Sequence, residues 1–268
     1  MRTVRIGDVD VTRMVMGGNP FSGFSHQGPA RDREMIHYYT SERILEALAK
    51  AEAAGINTFF GRSDRHVMRL LTEYWDRGGK IQWFAQTASE LDDQLRAIRD
   101  AASLGAKGVY IHGGMTDVWH AQGKWDMFRR ALDTMRECGV AAGYAGHRVE
   151  IHEWIRDNLT PDFQMCSYYD PTPRTVSAHH VSTTEEKWDD GHREKMVELI
   201  KTIPWPVSHY KVFAGGNRPV DAGFRFLALS MRPGDIVCIG HYLRDNPEMI
   251  SENVRTFDRV VEGALARR

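Results

Sequence analysis

Residues 89–112 read SELDDQLRAIRDAASLGAKGVYIH and contain a complete helix–strand unit. Leu91, Leu95 and Ile98 are spaced four and three residues apart, which is the period of an amphipathic helix. A serine precedes this segment and a glycine follows it, as is typical of helix ends. The apolar run Gly108–His112 then has the length and composition of a buried strand. The stretch therefore predicts a helix that leads into a strand ending on a histidine.

The same alternation of helix and strand patterns continues along the whole chain and is typical of a parallel α/β architecture. Eight apolar runs have the character of strands, and these are Arg13–Gly17, Asn57–Phe60, Ile81–Ala85, Gly108–His112, Ala141–Ala145, Phe163–Tyr168, His209–Phe213 and Asp235–Gly240. Alternating apolar residues in Met1–Val11 predict a short hairpin below them. Since one (β/α)8 barrel takes about 250 residues, we predict an α/β fold with a single (β/α)8 TIM barrel domain over residues 1–268 and an N-terminal β-hairpin.

The composition excludes several classes of partner. The chain is 42% hydrophobic and 26% charged, and its formal net charge is −1. Positive and negative residues are interspersed, so no nucleic-acid partner is indicated. No apolar run approaches the roughly 20 residues that span a bilayer, and three cysteines are too few for a disulfide framework. We therefore expect a cytoplasmic protein that acts on a small molecule; an oligomer is compatible with the sequence.

Two long loops follow the ends of predicted strands, where barrel enzymes build their active sites. These loops are Asn19–Tyr39 and Asp170–Thr184. Glycines, a proline and aromatic residues at the start of the first loop favour a structured cover over the barrel mouth. We interpret Asn19 and His26 as substrate contacts and Phe21 and Phe24 as residues that exclude water. The alternative is a plug that only covers the core.

Three histidines stand at the ends of predicted strands: His112, His147 and His241. Imidazole is the commonest metal-binding side chain, and three converging histidines leave a position open for water or substrate. The hypothesis is a divalent metal, Zn²⁺ or Mn²⁺, held by at least two of them. Each histidine alone could instead bind substrate or be a satisfied interior group.

Other strand ends carry charged or polar side chains with predicted roles. Lys211 is a candidate general base or nucleophile, and its alternative role is to pair with a carboxylate or an anionic substrate. The planar fork of Arg62 suits a substrate clamp, and Gln86 is a further substrate contact. Tyr168 and Asp170 are candidate proton carriers.

Several motifs, in order along nearly the whole chain, resemble the aldo-keto reductases. The segments that carry the resemblance are Val15–Gly18, Ala54–Phe60, Gly108–His112, Tyr169–Pro171, Val212–Gly216, Ile239–Gly240, Asn246–Glu248 and Glu252–Asn253. The resemblance implies a (β/α)8 barrel in which NADPH delivers hydride to a carbonyl, while an Asp, a Tyr, a Lys and a His protonate it. It also identifies the catalytic histidine as His112.

The sequence departs from that family at most of the catalytic positions. The positions of the Asp, the Tyr, the Lys and a nicotinamide-binding Ser-Asn pair are occupied, in that order, by Phe60-Gly61-Arg62, Asp64-Arg65-His66, Gln86-Thr87 and Gly146-His147. The chain therefore resembles a divergent member of that family, one that lacks the Asp, Tyr and Lys of the tetrad. We expect NADPH to bind weakly or not at all.

Three functions remain open from the sequence. The first is an isomerase, lyase or hydrolase that uses metal-assisted or acid–base chemistry on a polar, carbohydrate-like small molecule. The second is an NADP-dependent reductase with a rearranged tetrad, which Gly240 and Asn253 support because they match positions where the family holds the cofactor. The third is a ligand-binding barrel without catalytic activity.

Overall fold

The computed structural model describes residues 1–170, 172, 174–179 and 188–267. Its barrel strands are β3 (Met14–Gly17), β4 (Thr58–Arg62), β5 (Gln82–Gln86), β6 (Gly108–Ile111), β7 (Ala141–Gly146), β8 (Phe163–Ser167), β9 (Val207–Tyr210) and β10 (Ile236–Gly240). Each strand pairs in parallel with the next along the chain, and β10 pairs with β3 to close the barrel. The predicted (β/α)8 barrel is confirmed.

Helices connect the strands on the outside of the barrel. They are α1 (Pro29–Tyr38), α2 (Ser41–Ala53), α3 (Arg65–Asp76), α4 (Gln94–Ser103), α5 (Gly113–Ala121), α6 (Trp125–Glu137), α7 (Val149–Asn158), α8 (Asp190–Ile200), α9 (Val220–Ser230) and α10 (Met249–Phe257). Short helical turns lie at Asn19–Ser22, Ala214–Gly216, Asp258–Glu262 and Gly263–Leu265. No helix in the described ranges is long and apolar enough to cross a membrane.

The N-terminal residues form the predicted hairpin. Its strands are β1 (Thr3–Ile6) and β2 (Val9–Thr12), which pair antiparallel. Ile6 and Val11 are fully buried and belong to the same apolar cluster as the inward-facing residues of the barrel. The hairpin therefore closes one end of the barrel.

Aromatic side chains fill the barrel interior. The rings of Phe60 and Phe84 stack with centroids 5.0 Å apart, and Tyr110 and Phe163 pack around them. Such layers of inward side chains are the usual core of this fold. Space for a ligand therefore remains at the carboxyl end of the strands and not inside the barrel.

Two elements differ in length from their sequence patterns. Helix α4 begins at Gln94, because the Asp93 carboxylate accepts a hydrogen bond from the backbone N–H of Arg96 at 2.9 Å and caps the helix there. Strand β9 ends at Tyr210, three residues before the predicted end. The reason is that Lys211 has a φ of 57°, which no strand residue can adopt.

The first predicted loop is also partly helical. Residues 29–38 form α1, which has Pro29 at its first position. The fixed φ of proline suits the first turn of a helix, and its missing N–H costs nothing there. The second predicted loop, residues 170–184, lies partly outside the described residues.

Candidate active site

Two connected cavities open at the carboxyl ends of the barrel strands. The inner cavity has a volume of about 50 Å³ and is lined by Asn19, Phe24, His26, Arg62, Gln86, Ser89, His112, Gly113, His147, Arg174, Tyr210 and Lys211. The outer cleft measures about 260 Å³ and extends past Gly215 and Gly240 to Asn253. The residues that line both are Asn19, Phe24, His26, Arg62, Gln86, Tyr210 and Lys211. The site therefore has an inner limb and an outer limb with a shared wall.

A buried aspartate holds the ring of His147, which directly follows β7. Nδ1 of His147 lies 2.6 Å from Oδ2 of Asp117, and the backbone N–H of His147 donates to Oδ1 at 3.2 Å. Both side chains are buried. Because the carboxylate accepts the Nδ1 proton, the proton-free Nε2 is the nitrogen left for a ligand in the inner cavity.

Two glycines allow α5, which carries Asp117, to approach this histidine. A Cβ atom on Gly113 would lie only 2.8 Å from Cε1 of His147. A Cβ atom on Gly114 would lie 3.1 Å from Cε1 of His112 and 3.0 Å from Cδ of Arg174. The first turn of α5 is therefore packed directly against three polar side chains of the cavity.

His112 has the opposite tautomer. Its Nδ1 accepts a hydrogen bond from the backbone N–H of Gly114 at 3.1 Å. The backbone N–H of His112 donates to Oγ1 of Thr87 at 3.1 Å. The ring proton therefore sits on Nε2, which makes His112 a hydrogen-bond donor toward a ligand. Both rings line the inner cavity, which therefore presents one donor nitrogen, of His112, and one acceptor nitrogen, of His147.

Burial keeps both imidazoles neutral. It lowers the pKa of His112 and of His147 well below the usual value, and the charge of Arg174 lowers both further. Burial also raises the pKa of Asp117 to about 6. Above that pH the pair consists of a carboxylate and a neutral histidine, which is the form that can accept a proton at Nε2.

Carboxylates orient the Arg62 side chain, which ends β4. Its Nε lies 3.1 Å from Oδ2 of Asp64, and its Nη2 is bonded to Glu90. The guanidinium also lies over the ring of Phe24, with Cζ 5.1 Å from the ring centroid. The charge of Arg62 is therefore compensated before any ligand binds.

Two more cations line the inner cavity. Arg174 is buried, and its Nη1 donates to the carbonyl oxygen of Thr172 at 3.1 Å. Its Nε has no hydrogen-bond partner among the described residues. Lys211 places Nζ 5.8 Å from the ring centroid of Trp188. The inner cavity thus presents a positive surface.

Backbone strain coincides with this site. Among the described residues other than glycine, positive φ values occur at His26 (58°), Lys211 (57°) and Ala214 (50°). His26 and Lys211 both line the cavities. Strained residues persist where the surrounding structure fixes them, and they cluster at functional sites.

Residues 19–38 cover one side of the outer cleft. Nε2 of Gln27 donates to the carbonyl oxygen of Gly215 at 2.6 Å. Arg31 of α1 is ion-paired with Asp245, which follows β10. These two contacts tie the segment to the loops after β9 and β10 and make the cleft a sheltered one.

The structure brings together eight of the predicted site residues. They are Asn19, Phe24, His26, Arg62, Gln86, His112, His147 and Lys211, all of which line the inner cavity. Six of them lie at or just after strand ends, which the parallel barrel brings to one rim, and Phe24 and His26 reach the cavity from the loop after β3. Their roles in binding or catalysis remain predictions.

Two predicted catalytic or metal-binding side chains face away from the cavities. Tyr168 bonds through its hydroxyl to Nδ1 of His209 at 2.9 Å, between sheet and helix. His241 packs its Nδ1 3.2 Å from Sδ of Met16 and lines neither cavity. Side chains alternate in direction along a strand, and each of these residues is three positions beyond an inward-facing one. The structure therefore places neither side chain in the site to which the sequence analysis assigned it.

Phe21 and Asp170 also lie outside the two cavities. Phe21 packs edge-on against Tyr39 with centroids 4.8 Å apart and also contacts Phe59, so it belongs to the core. Asp170 is half-buried, and burial raises the pKa of its carboxyl group. Neither residue is placed to contact a ligand in this arrangement.

The predicted three-histidine metal site does not form. Nδ1 of His112 accepts from Gly114, Nδ1 of His147 is bonded to Asp117, and His241 faces elsewhere. Across the described ranges, no group of three or more His, Cys, Asp or Glu side chains is arranged to hold a metal ion. The described residues therefore do not provide the ligands that the predicted Zn²⁺ or Mn²⁺ site requires.

Sequence reasoning missed three residues of the site: Asp117, Arg174 and Tyr210. Asp117 is one turn into α5, and the only local signal is the pair of glycines that opens the helix. Tyr210 was inside a predicted strand; its hydroxyl donates to the carbonyl oxygen of Gly146 at 3.1 Å. Arg174 lies in the long second loop, where no pattern predicts a direction.

No family model matches this sequence, and no curated protein matches it. Solved structures do. A protein from Pseudomonas aeruginosa described as an aldo-keto reductase is similar over 97% of this chain and 95% of its own, with a TM-score of 0.67 and 18% identity. A form of the protein Gox0644 in complex with NADPH has a TM-score of 0.61 and 13% identity over 100% of this chain and 93% of its own.

The chain has an aldo-keto reductase-like barrel fold. The fold is shared more widely, because a 3-deoxy-D-arabino-heptulosonate 7-phosphate synthase from Thermotoga maritima also matches, with a TM-score of 0.56 and 15% identity over 98% of this chain and 93% of its own. At such identities the likeness shows the fold alone. The chemistry of this reductase-like barrel must therefore be argued from its own site.

Proposed function

We propose that this protein is an NADP(H)-linked oxidoreductase that interconverts an alcohol and a carbonyl group. The observation that carries the proposal is the two-limbed cavity. Its inner limb contains a base and a hydrogen-bond donor, and its outer limb is a sheltered cleft with the same wall. A reaction between two molecules held side by side requires such an arrangement, whereas a single small substrate needs only the inner limb.

The residues of the outer cleft fit a dinucleotide phosphate. The cleft is lined by Arg31, whose terminal nitrogens are paired with Glu34 and Asp245, and by Asn253. Nε of Arg31 and the buried hydroxyl of Tyr242 have no hydrogen-bond partner among the described residues. A Cβ atom on Gly240 would lie 2.8 Å from Cδ of Pro20, so this wall depends on a glycine. These features, and the likeness to a barrel bound to NADPH, speak against the expectation that NADPH does not bind.

NADP(H), when bound, would supply or accept the hydride. Nε2 of His147 would take the hydroxyl proton of an alcohol in oxidation and return it to the oxygen in reduction. Asp117 holds the ring and stabilises the imidazolium that forms, as a carboxylate does in other His–Asp pairs. Nε2–H of His112 would donate to the same oxygen. His147 would thus replace the missing tyrosine as the proton-transfer group.

Other side chains would position the substrate and exclude water. Phe24 covers the inner cavity and contacts the guanidinium of Arg62. The amide of Gln86 stands where the resemblance predicts a lysine, so it can bind a polar group but supplies no positive charge that would stabilise a tyrosinate. This substitution agrees with a mechanism that uses a histidine.

A second candidate is a redox-neutral acid–base reaction, such as an isomerisation or an elimination. The observation that favours it is that the inner limb alone contains both the base, His147, and the donor, His112. It retains the non-redox reaction class expected from the sequence, without the metal.

Titration of the purified protein with NADPH, followed by nicotinamide fluorescence, separates the two candidates. We expect saturable binding in the micromolar range and NADP⁺ reduction in the presence of a suitable alcohol. A matched control is the Gly240→Val variant, in which the added side chain would collide with Pro20 in the wall of the outer cleft, and we expect it to lose NADPH binding. No binding by the wild-type protein would contradict the oxidoreductase and favour the redox-neutral reaction.

A further inference from the structure

Among the described residues, those that line the inner cavity include several cations and no carboxylate. Its cationic and imidazole-bearing lining residues are Arg62, Arg174, Lys211, His26, His112 and His147. The nearby carboxylates stand behind them: Asp64 and Glu90 bond Arg62, and Asp117 bonds His147. Asp170 lines neither cavity. A ligand in the inner limb therefore meets a positive surface.

Arg174 differs from Arg62 in having no carboxylate partner among the described residues. Only 6% of its surface is exposed, and its Nε lacks a hydrogen-bond acceptor there. The charges of Asp117 and Asp170 act on Arg174 from a distance, but neither carboxylate is hydrogen-bonded to it. An anion bound directly to the planar fork would offset the remaining cost of burying the cation. The unsatisfied guanidinium thus indicates an anionic ligand.

The distance of Arg174 from the reacting groups limits where the anion can be. Gly114 lies between Arg174 and His112. A Cβ atom on this glycine would lie 3.0 Å from Cδ of Arg174 and 3.1 Å from Cε1 of His112. His147 packs against the adjacent Gly113. The anionic group and the C–O group acted on by the histidines must therefore be close together in the same small molecule.

We propose that the substrate is an α-hydroxy acid, or the corresponding α-keto acid, whose carboxylate binds Arg174 while its hydroxyl or carbonyl oxygen lies between His112 and His147. The inference rests on the oxidoreductase function proposed above and names its substrate class. The inner limb, about 50 Å³, has room for roughly three or four water-sized groups. That matches a carboxylate with its neighbouring carbon and is small for a phosphate ester.

Calorimetric titration of the full-length protein with matched pairs tests the proposal without requiring turnover. The pairs are glycolate and ethylene glycol, lactate and propane-1,2-diol, and glycerate and glycerol; glycerol 3-phosphate is added as a phosphate ester. We expect each acid to bind at least tenfold more tightly than its neutral partner. Equal binding within the pairs would overturn the proposal, and tighter binding of glycerol 3-phosphate than of glycerate would overturn the carboxylate assignment.

The Arg174→Gln variant locates the binding group. It should lower the affinity for lactate about 10- to 100-fold, which is the effect of losing a charged hydrogen-bond partner. Arg174→Lys should restore part of the affinity, and Arg129→Gln, at an arginine that stacks on Trp154 away from the site, should have no effect. Unchanged binding of lactate by Arg174→Gln would contradict the proposal.

Two further measurements keep the outcomes apart. If Arg174→Gln does not fold, weaker lactate binding by Arg174→Lys than by the wild type tests the same contact, and unchanged affinity overturns it. NADP⁺ reduction by lactate or glycerate is followed separately. Tight acid binding without NADP⁺ reduction would overturn the proposed oxidoreductase function and support the carboxylate site. NADP⁺ reduction by neutral alcohols alone would support the oxidoreductase function and overturn the carboxylate site.

Discussion

Two buried His–Asp pairs lie on this barrel and have different environments. In the first, Nδ1 of His147 is 2.6 Å from Asp117, and the other ring nitrogen is left for the cavity. In the second, Nε2 of His209 is 3.2 Å from Asp235, and its Nδ1 is bonded to the hydroxyl of Tyr168. The same two residue types thus form one pair whose histidine keeps a ring nitrogen free at a cavity, and a second pair in the core whose histidine has both ring nitrogens hydrogen-bonded.

Asp235 connects several elements around the second pair. Its carboxylate accepts from the backbone N–H of Val207 at 3.0 Å and from three N–H groups of Arg232. Although burial acts to raise its pKa, hydrogen bonds from His209 and Arg232 lower the pKa below its usual value. The pKa of Asp117 shifts the other way because burial prevails there. The comparison indicates that a His–Asp pair is a candidate catalytic pair when a ring nitrogen is left free at a cavity, and that the pair alone is not sufficient.

Replacing each histidine should separate the two pairs most strongly. His147→Ala removes the base, so we expect kcat to fall about 10²- to 10⁴-fold. The free energy of unfolding should fall less than in the core variant, because the space left by the ring joins the inner cavity and water can reach Asp117. His209→Ala removes one hydrogen-bond partner each from Asp235 and Tyr168 and leaves a cavity in the core, so it should lower the free energy of unfolding by about 3 kcal/mol. Urea unfolding and steady-state rates measure both; His66→Ala, at an exposed position, is the control. Equal loss of stability in the two variants would break the comparison.

Acidification should affect the cavity pair first. The pKa of Asp117 is raised to about 6, so its carboxylate gains a proton as the pH falls below that value and no longer supports an imidazolium at His147. We expect kcat/KM to fall about tenfold per pH unit below pH 6. Asp235, whose pKa is lowered, should stay ionised there, and its contribution to stability should be lost only at pH values below about 4. A flat rate profile down to pH 5 in folded protein would contradict this.

The smallest effect is expected at the tyrosine of the core pair. Tyr168→Phe removes hydroxyl contacts to His209 and Ser230 without changing the ring. We expect a loss of about 1 kcal/mol in the free energy of unfolding. Rates should be unchanged, because the side chain lines neither cavity. A kcat reduced tenfold or more would restore Tyr168 as a catalytic candidate.

The barrel fold, and many of the residues that line the cavities at the carboxyl ends of its strands, could be predicted from the sequence. Period and strand-end position identified Arg62, Gln86, His112 and His147, because parallel strands bring their ends to one rim. The prediction failed where side-chain direction decides. His241 and Tyr168 also stand at strand ends, and a shift of one residue in the end of a strand reverses the face.

Partners from outside the strands were beyond sequence reasoning. Asp117 reaches His147 from the following helix, and Arg174 reaches the cavity from a loop. Such contacts join residues distant in sequence, and no local period encodes them. The sequence does not reveal the contact between Asp117 and His147. Without that contact, strand-end histidines are interpreted as metal ligands and not as a hydrogen-bonded base.

The central claim is that Asp117 and His147 act as a catalytic pair, whereas Asp235 and His209 only stabilise the fold. The matched variants Asp117→Asn and Asp235→Asn test it in one experiment that measures kcat/KM and the free energy of unfolding for each. We expect Asp117→Asn to lower kcat/KM at least 10²-fold with an unfolding free energy near that of the wild type. We expect Asp235→Asn to lower the unfolding free energy by about 3–5 kcal/mol with near-normal activity per folded molecule. An active Asp117→Asn protein would contradict the account.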